Sequence, residues 1–206
     1  VTLRSVAATA GEFDTIDLTQ LACSTITLTS EPIDTSLVGE HPLDELTIQG
    51  PGRDALTISG GGASLIFSVG GYSFYSVFTL NDVTVADGVN AGSIFYESPA
   101  CIFGVRGTVT LNRVTVTDCH STFVGGFLGG GAVAAGALYL TDSVIRDSSV
   151  TAVNGITAAG GGAWAGGAMT LINSTISGNL ISAQVSVDGY GVFAHTGGGG
   201  LYVAGN

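Results

Sequence analysis

Four segments of this chain repeat one phrase, and the repeat restricts the folds open to it more than any other feature. FTLNDVTVADG begins at Phe78, VTLNRVTVTDC at Val109, LYLTDSVIRDS at Leu138 and MTLINSTISGN at Met169. They align on Leu80, Leu111, Leu140 and Leu171 in steps of 31, 29 and 31 residues, and an apolar residue stands two places before each leucine. A near-constant period of this size marks a unit too small to bury its apolar side alone, so each unit must stack on its neighbours.

Upstream, FDTIDLTQL, STITLTS, DELTIQG and DALTISG alternate β-branched with polar residues between Gly, Pro and Asp, the pattern of short strands. QGPGRD, from Gln49 to Asp54, reads as a turn, because Gly50 and Gly52 permit unusual backbone angles and Pro51 fixes its own φ. From Gly60 onward each unit carries three apolar patches: a Gly- and Ala-rich run such as GGAVAAGA, a TL pair, and a V-T-V or S-T-I run. Three short strands per unit make one turn of a parallel β-helix. Vertical neighbours in such a stack lie roughly 4.8 Å apart, so equivalent residues of successive units become columns.

Strand alternation assigns those columns. Val85, Val116, Ile145 and Ile176 are predicted to point inward as an aliphatic stack, with Val83, Val114, Ser143 and Ser174 on the same face. Thr84, Thr115, Val144 and Thr175 are predicted to face out. Leu80 and Val83 are both apolar but an odd number of residues apart, so the chain must bend between them. Asn81 and Asn112, followed by Thr141 and Ile172, stand at that break. Asn tolerates a left-handed backbone, and its amide donates and accepts along a stack. At the start of the chain, TLRSVAATA puts Leu3, Val6, Ala7 and Ala10 on one helical face, with Thr2 as N-cap and Gly11 as the stop. A capping helix within residues 1–10 is therefore expected to close the open end of a β core running over residues 11–206.

The basic residues are Arg4, Arg53, Arg106, Arg113 and Arg146, with no Lys, and the net charge is -11. Such a surface repels phosphate backbones and anionic lipids, which argues against nucleic-acid and polybasic membrane binding. The window from Ser121 to Thr141 has no charge and the length of a membrane span. It is glycine-rich, however, and its latter part recurs as GGGAWAGGAMTL from Gly160, so it belongs to the repeat and no span is expected. Cys23, Cys101 and Cys119 fit no spaced metal motif. A Cys101–Cys119 disulfide, in an oxidising compartment, and three buried free thiols are the two open readings.

Together, LRSVAATAGEFDTIDLT, CSTITLTS, LTIQGPGRDALTISG, LNRVTVTDC, INSTISGN and GGGGLYV resemble the right-handed parallel β-helix repeat proteins of bacterial surfaces. These lie within the pectate-lyase-like superfamily and include polymorphic outer-membrane and autotransporter-type passengers. The resemblance implies an all-β, right-handed coil and an extracellular or cell-surface location. It further implies a structural or adhesive shaft that meets glycans, other surface proteins or copies of itself, the last as fibres. The alternative it carries is a polysaccharide lyase or glycoside hydrolase on the same architecture. It also leads one to expect another TL pair and S-T-I run after GGGGLYVAGN.

Candidate chemistry is sparse. Asp87, Asp118 and Asp147 form a column with Gly178 next in line. Like charges at rung spacing need hydrogen bonds or a cation, so the column reads either as carboxylates capping their own turns or as a Ca²⁺ site; no other cofactor is expected. Asp82, Arg113, Asp142 and Asn173 form a mixed ladder in which Arg113 is expected to bridge the acids below and above it. A lyase needs a base beside a carboxylate cluster and a hydrolase needs paired acids. Asp142 and Asp147 share a coil but already have turn roles, and His41, His120 and His195 follow no triad order, so no catalytic residue is assigned. The glycine runs lack the context of a phosphate-binding loop. Tyr72, Phe74, Tyr75 and Tyr96 form a candidate glycan or self-association face, with an inward aromatic stack as the other reading. Thr-rich alternation raises an ice-binding surface, but Val144 interrupts that column and the next reads Ala86, Thr117, Arg146, Ser177, so a flat Thr array is not sustained.

Overall fold

The computed structural model describes residues 2–7, 9–10, 13–35, 45–69, 76–93, 99–124, 129–153, 157–184 and 195–204. Their strands form all-parallel sheets stacked as a β-solenoid whose coils lie about 31 residues apart. One coil reads as strand Val77–Asn81, a corner at Asp82, strand Thr84–Ala86, a second corner at Asp87, and strand Val89–Ser93. These strands belong to a ten-stranded, a six-stranded and a four-stranded sheet respectively, which are the walls of the stack.

The register follows the repeat. Leu80 pairs with Leu111, Leu111 with Leu140, and Leu140 with Leu171. Downward the column continues to Ile48 and Ile16. In the six-stranded sheet the inward column is Ile26, Ile58, Val85, Val116, Ile145 and Ile176. Its four middle members are fully buried, and the two end members are partly buried. Both columns extend two coils below the four aligned units, because the upstream strands join the same stack. The core is therefore a set of aliphatic files along the axis, each side chain packed on its equivalents above and below.

The corners obey one rule. Asp82, Arg113, Asp142 and Asn173 have φ of 56°, 55°, 51° and 49°, and Asp87, Asp118, Asp147 and Gly178 have φ of 56°, 54°, 51° and 65°. Asp, Asn and Gly tolerate this left-handed region best. The bend thus falls one residue later than expected: Asn81 and Asn112 end their strands, and the next residue makes the turn. A single left-handed residue between outward Asn81 and inward Val83 is enough to break the alternation. The two Asn side chains do stack, with Asn112 Nδ2 donating to Asn81 Oδ1 at 2.9 Å.

The residue after each corner points inward and, in the upper coils, is polar. Ser143 Oγ accepts from Val114 N–H at 3.0 Å and donates to the carbonyl of Thr141 or Leu111. Ser174 Oγ accepts from Ser143 N–H at 3.1 Å. At the second corner Ser148 Oγ accepts from Cys119 N–H, and Asn179 Oδ1 accepts from Ser148 N–H at 3.0 Å. The increase in polarity toward the upper coils thus satisfies buried corner amides of the coil below. The glycine runs are close approaches between coils: a Cβ on Gly131 would lie 1.9 Å from the Gly161 carbonyl oxygen.

The N-terminal helix spans Leu3–Ala7, shorter than the expected 1–10. Thr2 caps it: Thr2 Oγ1 accepts from Ser5 N–H at 3.1 Å, and Thr2 N–H donates to Ser5 Oγ at 3.0 Å, a reciprocal cap of the capping-box kind. After Ala7 the chain tightens. Ala10 N–H bonds back three residues to the Ala7 carbonyl, while the Thr9 hydroxyl donates to the carbonyls of Ser5 and Val6. Ala7 is buried, and Leu3, Val6 and Ala10 pack on the core, so the helix covers the lower end as its apolar face requires. Arg4 fixes it laterally through the carbonyls of Pro32 and Glu31.

Candidate functional site

The Asp87, Asp118 and Asp147 column occupies the second corner, and left-handed φ explains why Asp and then Gly178 stand there. The carboxylates do not bond to backbone N–H groups of their own turns. Asp87 Oδ2 accepts from Ser59 Oγ at 3.0 Å, Asp118 Oδ2 from Thr117 Oγ1 at 2.8 Å, and Asp147 Oδ2 from Arg146 Nη1 at 2.5 Å. Among the described residues no group of three His, Cys, Asp or Glu side chains is placed to hold a metal ion.

At the first corner Arg113 binds Asp82 through two bonds, Nε to Oδ1 at 2.6 Å and Nη2 to Oδ2 at 2.7 Å. Gln49 Nε2 also donates to Asp82 Oδ2 at 2.9 Å. The Arg113 guanidinium holds the Asp82 carboxyl below its ordinary range, and the same bond raises Arg113. Arg113 makes its ion pair with the acid below; the acid above, Asp142, accepts instead from Asn173 Nδ2. Asp142 and Asp147 are thus each engaged at a corner. His120 shares a hydrogen bond of 2.9 Å with Ser149 on the next rung.

Cys101 and Cys119 are joined by a disulfide, with Cα atoms 5.8 Å apart and both residues fully buried. Cys23 is free and exposed; it lies in an open cleft of about 680 Å³ between the helix and the first coil, floored by Leu3, Ile16, Leu18, Ile26 and Leu28. Tyr72, Phe74, Tyr75, Tyr96 and His41 lie outside the described residues.

The structure brings together one surface that was not read in the sequence. On the outer side of the ten-stranded sheet, Thr15, Thr47, Thr79, Thr110, Tyr139 and Thr170 stand in one column. Beside it run Gln49, Asn81, Asn112 and Thr141. From Thr79 upward both of these columns are uncharged, in a chain of net charge -11; the exposed Arg106 lies on the same strand as Thr110, in the irregular stretch between Gly104 and Thr108. Tyr139 is 40% exposed. The signal lay one residue before each aligned leucine, but Thr15 and Thr47 sit in coils that the repeat phrase does not reach.

Stacked parallel coils with left-handed corners and, among the described residues, no buried charged cluster define the class: a parallel β-solenoid. Compared with protein-family models, with curated proteins and with solved structures, the chain finds no match.

Proposed function

We propose that this chain is the stiff shaft of a secreted or cell-surface protein, structural or adhesive in role, within the bacterial β-helix group that its repeats resemble. The observation that carries the reading is the unbroken register of six rungs in one sheet, which spends nearly every repeat residue on stacking and corners. A solenoid of this kind holds its surface residues at fixed intervals along a rod. The buried disulfide suits an oxidising compartment, and the acidic surface suits solubility there. Its partners are surface glycans, other surface proteins or copies of itself.

Two measurements test the proposal together. On intact producing cells the chain is expected to be open to added protease, and thiol trapping is expected to find Cys101 and Cys119 oxidised. Confinement to the cytosol, or Cys101 and Cys119 found reduced, overturns it.

A further inference from the structure

We propose that the uncharged strip around Tyr139 is a binding site for a neutral polysaccharide, with the tyrosine ring as the platform on which a sugar stacks. This rests on the adhesive-shaft reading and names its ligand class and place. In five other rungs the same outward position is Thr, so the strand itself does not call for a ring there. The ring leaves 40% of the residue in solvent. Its neighbours along the strand are Ala137, which is small, and Thr141; a rung below and above stand Thr110 and Thr170.

A tyrosine offers an apolar face and a hydroxyl tip, which match the C–H face and the hydroxyls of a pyranose. Around it, the hydroxyls of Thr110, Thr141 and Thr170 and the amide of Asn112 provide both donors and acceptors. Rungs repeat at roughly 4.8 Å, so these groups form a linear ladder suited to a chain of sugars lying along the shaft. Charge selects among polymers: the Tyr139 column and the Asn112 column beside it carry none while the molecule carries -11, so a neutral glycan is matched and a uronic-acid polymer is repelled. Ice would need a flat array, which Tyr139 breaks on this wall and Val144 breaks on the adjoining one.

Affinity gel electrophoresis with hydroxyethyl cellulose, laminarin, dextran and carboxymethyl cellulose tests the site in the wild type, Tyr139→Thr and Tyr139→Phe. Tyr139→Thr restores the residue of the column and is expected to keep the wild-type melting temperature. At least one neutral polymer is expected to retard the wild type, about tenfold less strongly in Tyr139→Thr and nearly unchanged in Tyr139→Phe. Carboxymethyl cellulose is expected to retard less than hydroxyethyl cellulose. No retardation by any of the three neutral polymers, retardation unchanged in Tyr139→Thr, preference for the anionic polymer, or shaping of ice crystals without retardation overturns the site. The cell test of the shaft separates the two readings: surface exposure with Cys101 and Cys119 oxidised but no Tyr139-dependent retardation removes the site and keeps the shaft, whereas confinement to the cytosol removes the shaft.

Discussion

Arg113 shows how much a corner is worth. A long L side chain at φ 55° carries a backbone cost of roughly 1–2 kcal/mol, and the two-point bond to Asp82 offsets part of it. Arg113 is about half exposed, so the pair contributes no more than about 1 kcal/mol. The bond lowers the folded pKa of Asp82 from 3.8. Its contribution is therefore complete above the unfolded carboxyl value and is lost as the pH falls through the lower folded value. Arg113→Gly removes the pair and the strain together, so it should leave stability at pH 7 nearly unchanged while flattening the loss of stability below about pH 4; denaturant titrations at several pH values read both effects. The second corner gives a separate test. Asp118→Val should cost about 1–2 kcal/mol more than Asp118→Gly, and a chelator should not shift the melting temperature of the wild type if left-handed φ alone placed the aspartates. A fall in melting temperature with chelator would favour the Ca²⁺ reading of Asp87, Asp118 and Asp147. These corners were legible as columns, yet the turning residue was not. Asn81 and Asp82 both tolerate left-handed φ, and Arg113 in the true turning column hides the pattern.

Between elements, the disulfide and the helix fasten what the ladder bonds do not. Cys101 precedes the long strand Ile102–Asn112, and Cys119 follows Thr115–Thr117, so the bond crosses the interior of one coil between two walls. Cys119 lies eighteen positions after Cys101, and closing a loop of this size removes about 3 kcal/mol of unfolded-state freedom. The Cys101→Ala, Cys119→Ala double variant should lose about that much in urea unfolding, and a reductant should have little effect on it. Elements were unequally legible. The helix face and its Thr2 cap could be read from spacing, but its early end could not, since the Thr9 hydroxyl diverts to carbonyls that a longer helix would use. The coils below Phe78 escaped alignment because the corner between Gln49 and Thr57 is enlarged by the QGPGRD turn relative to that between Asn81 and Thr84. For that reason the Thr column and Tyr139 appeared as a surface only once the register was known.

At the scale of the molecule, the inward columns decide where the stack is strong. Each rung is held by the rung on either side, so removing one neighbour removes about half of its support. Ile145 has Val116 below and Ile176 above and is fully buried, whereas Ile176 has Ile145 below and remains partly exposed. On the same rung, Leu171 is 37%, Ile172 57% and Leu180 61% exposed. Ile145→Ala should then cost about 2–5 kcal/mol, the range for a buried aliphatic cavity, and Ile176→Ala clearly less. Hydrogen exchange on this chain should show the matching gradient. Amides of Thr84–Ala86 and Thr115–Thr117 should open only with the whole fold, while those of Thr175–Ser177 and Leu180–Gln184 should exchange through local opening. Uniform protection from Thr25–Thr27 to Thr175–Ser177 would mean that the solenoid opens all at once. Support would then be shared along the whole column rather than passed from rung to rung.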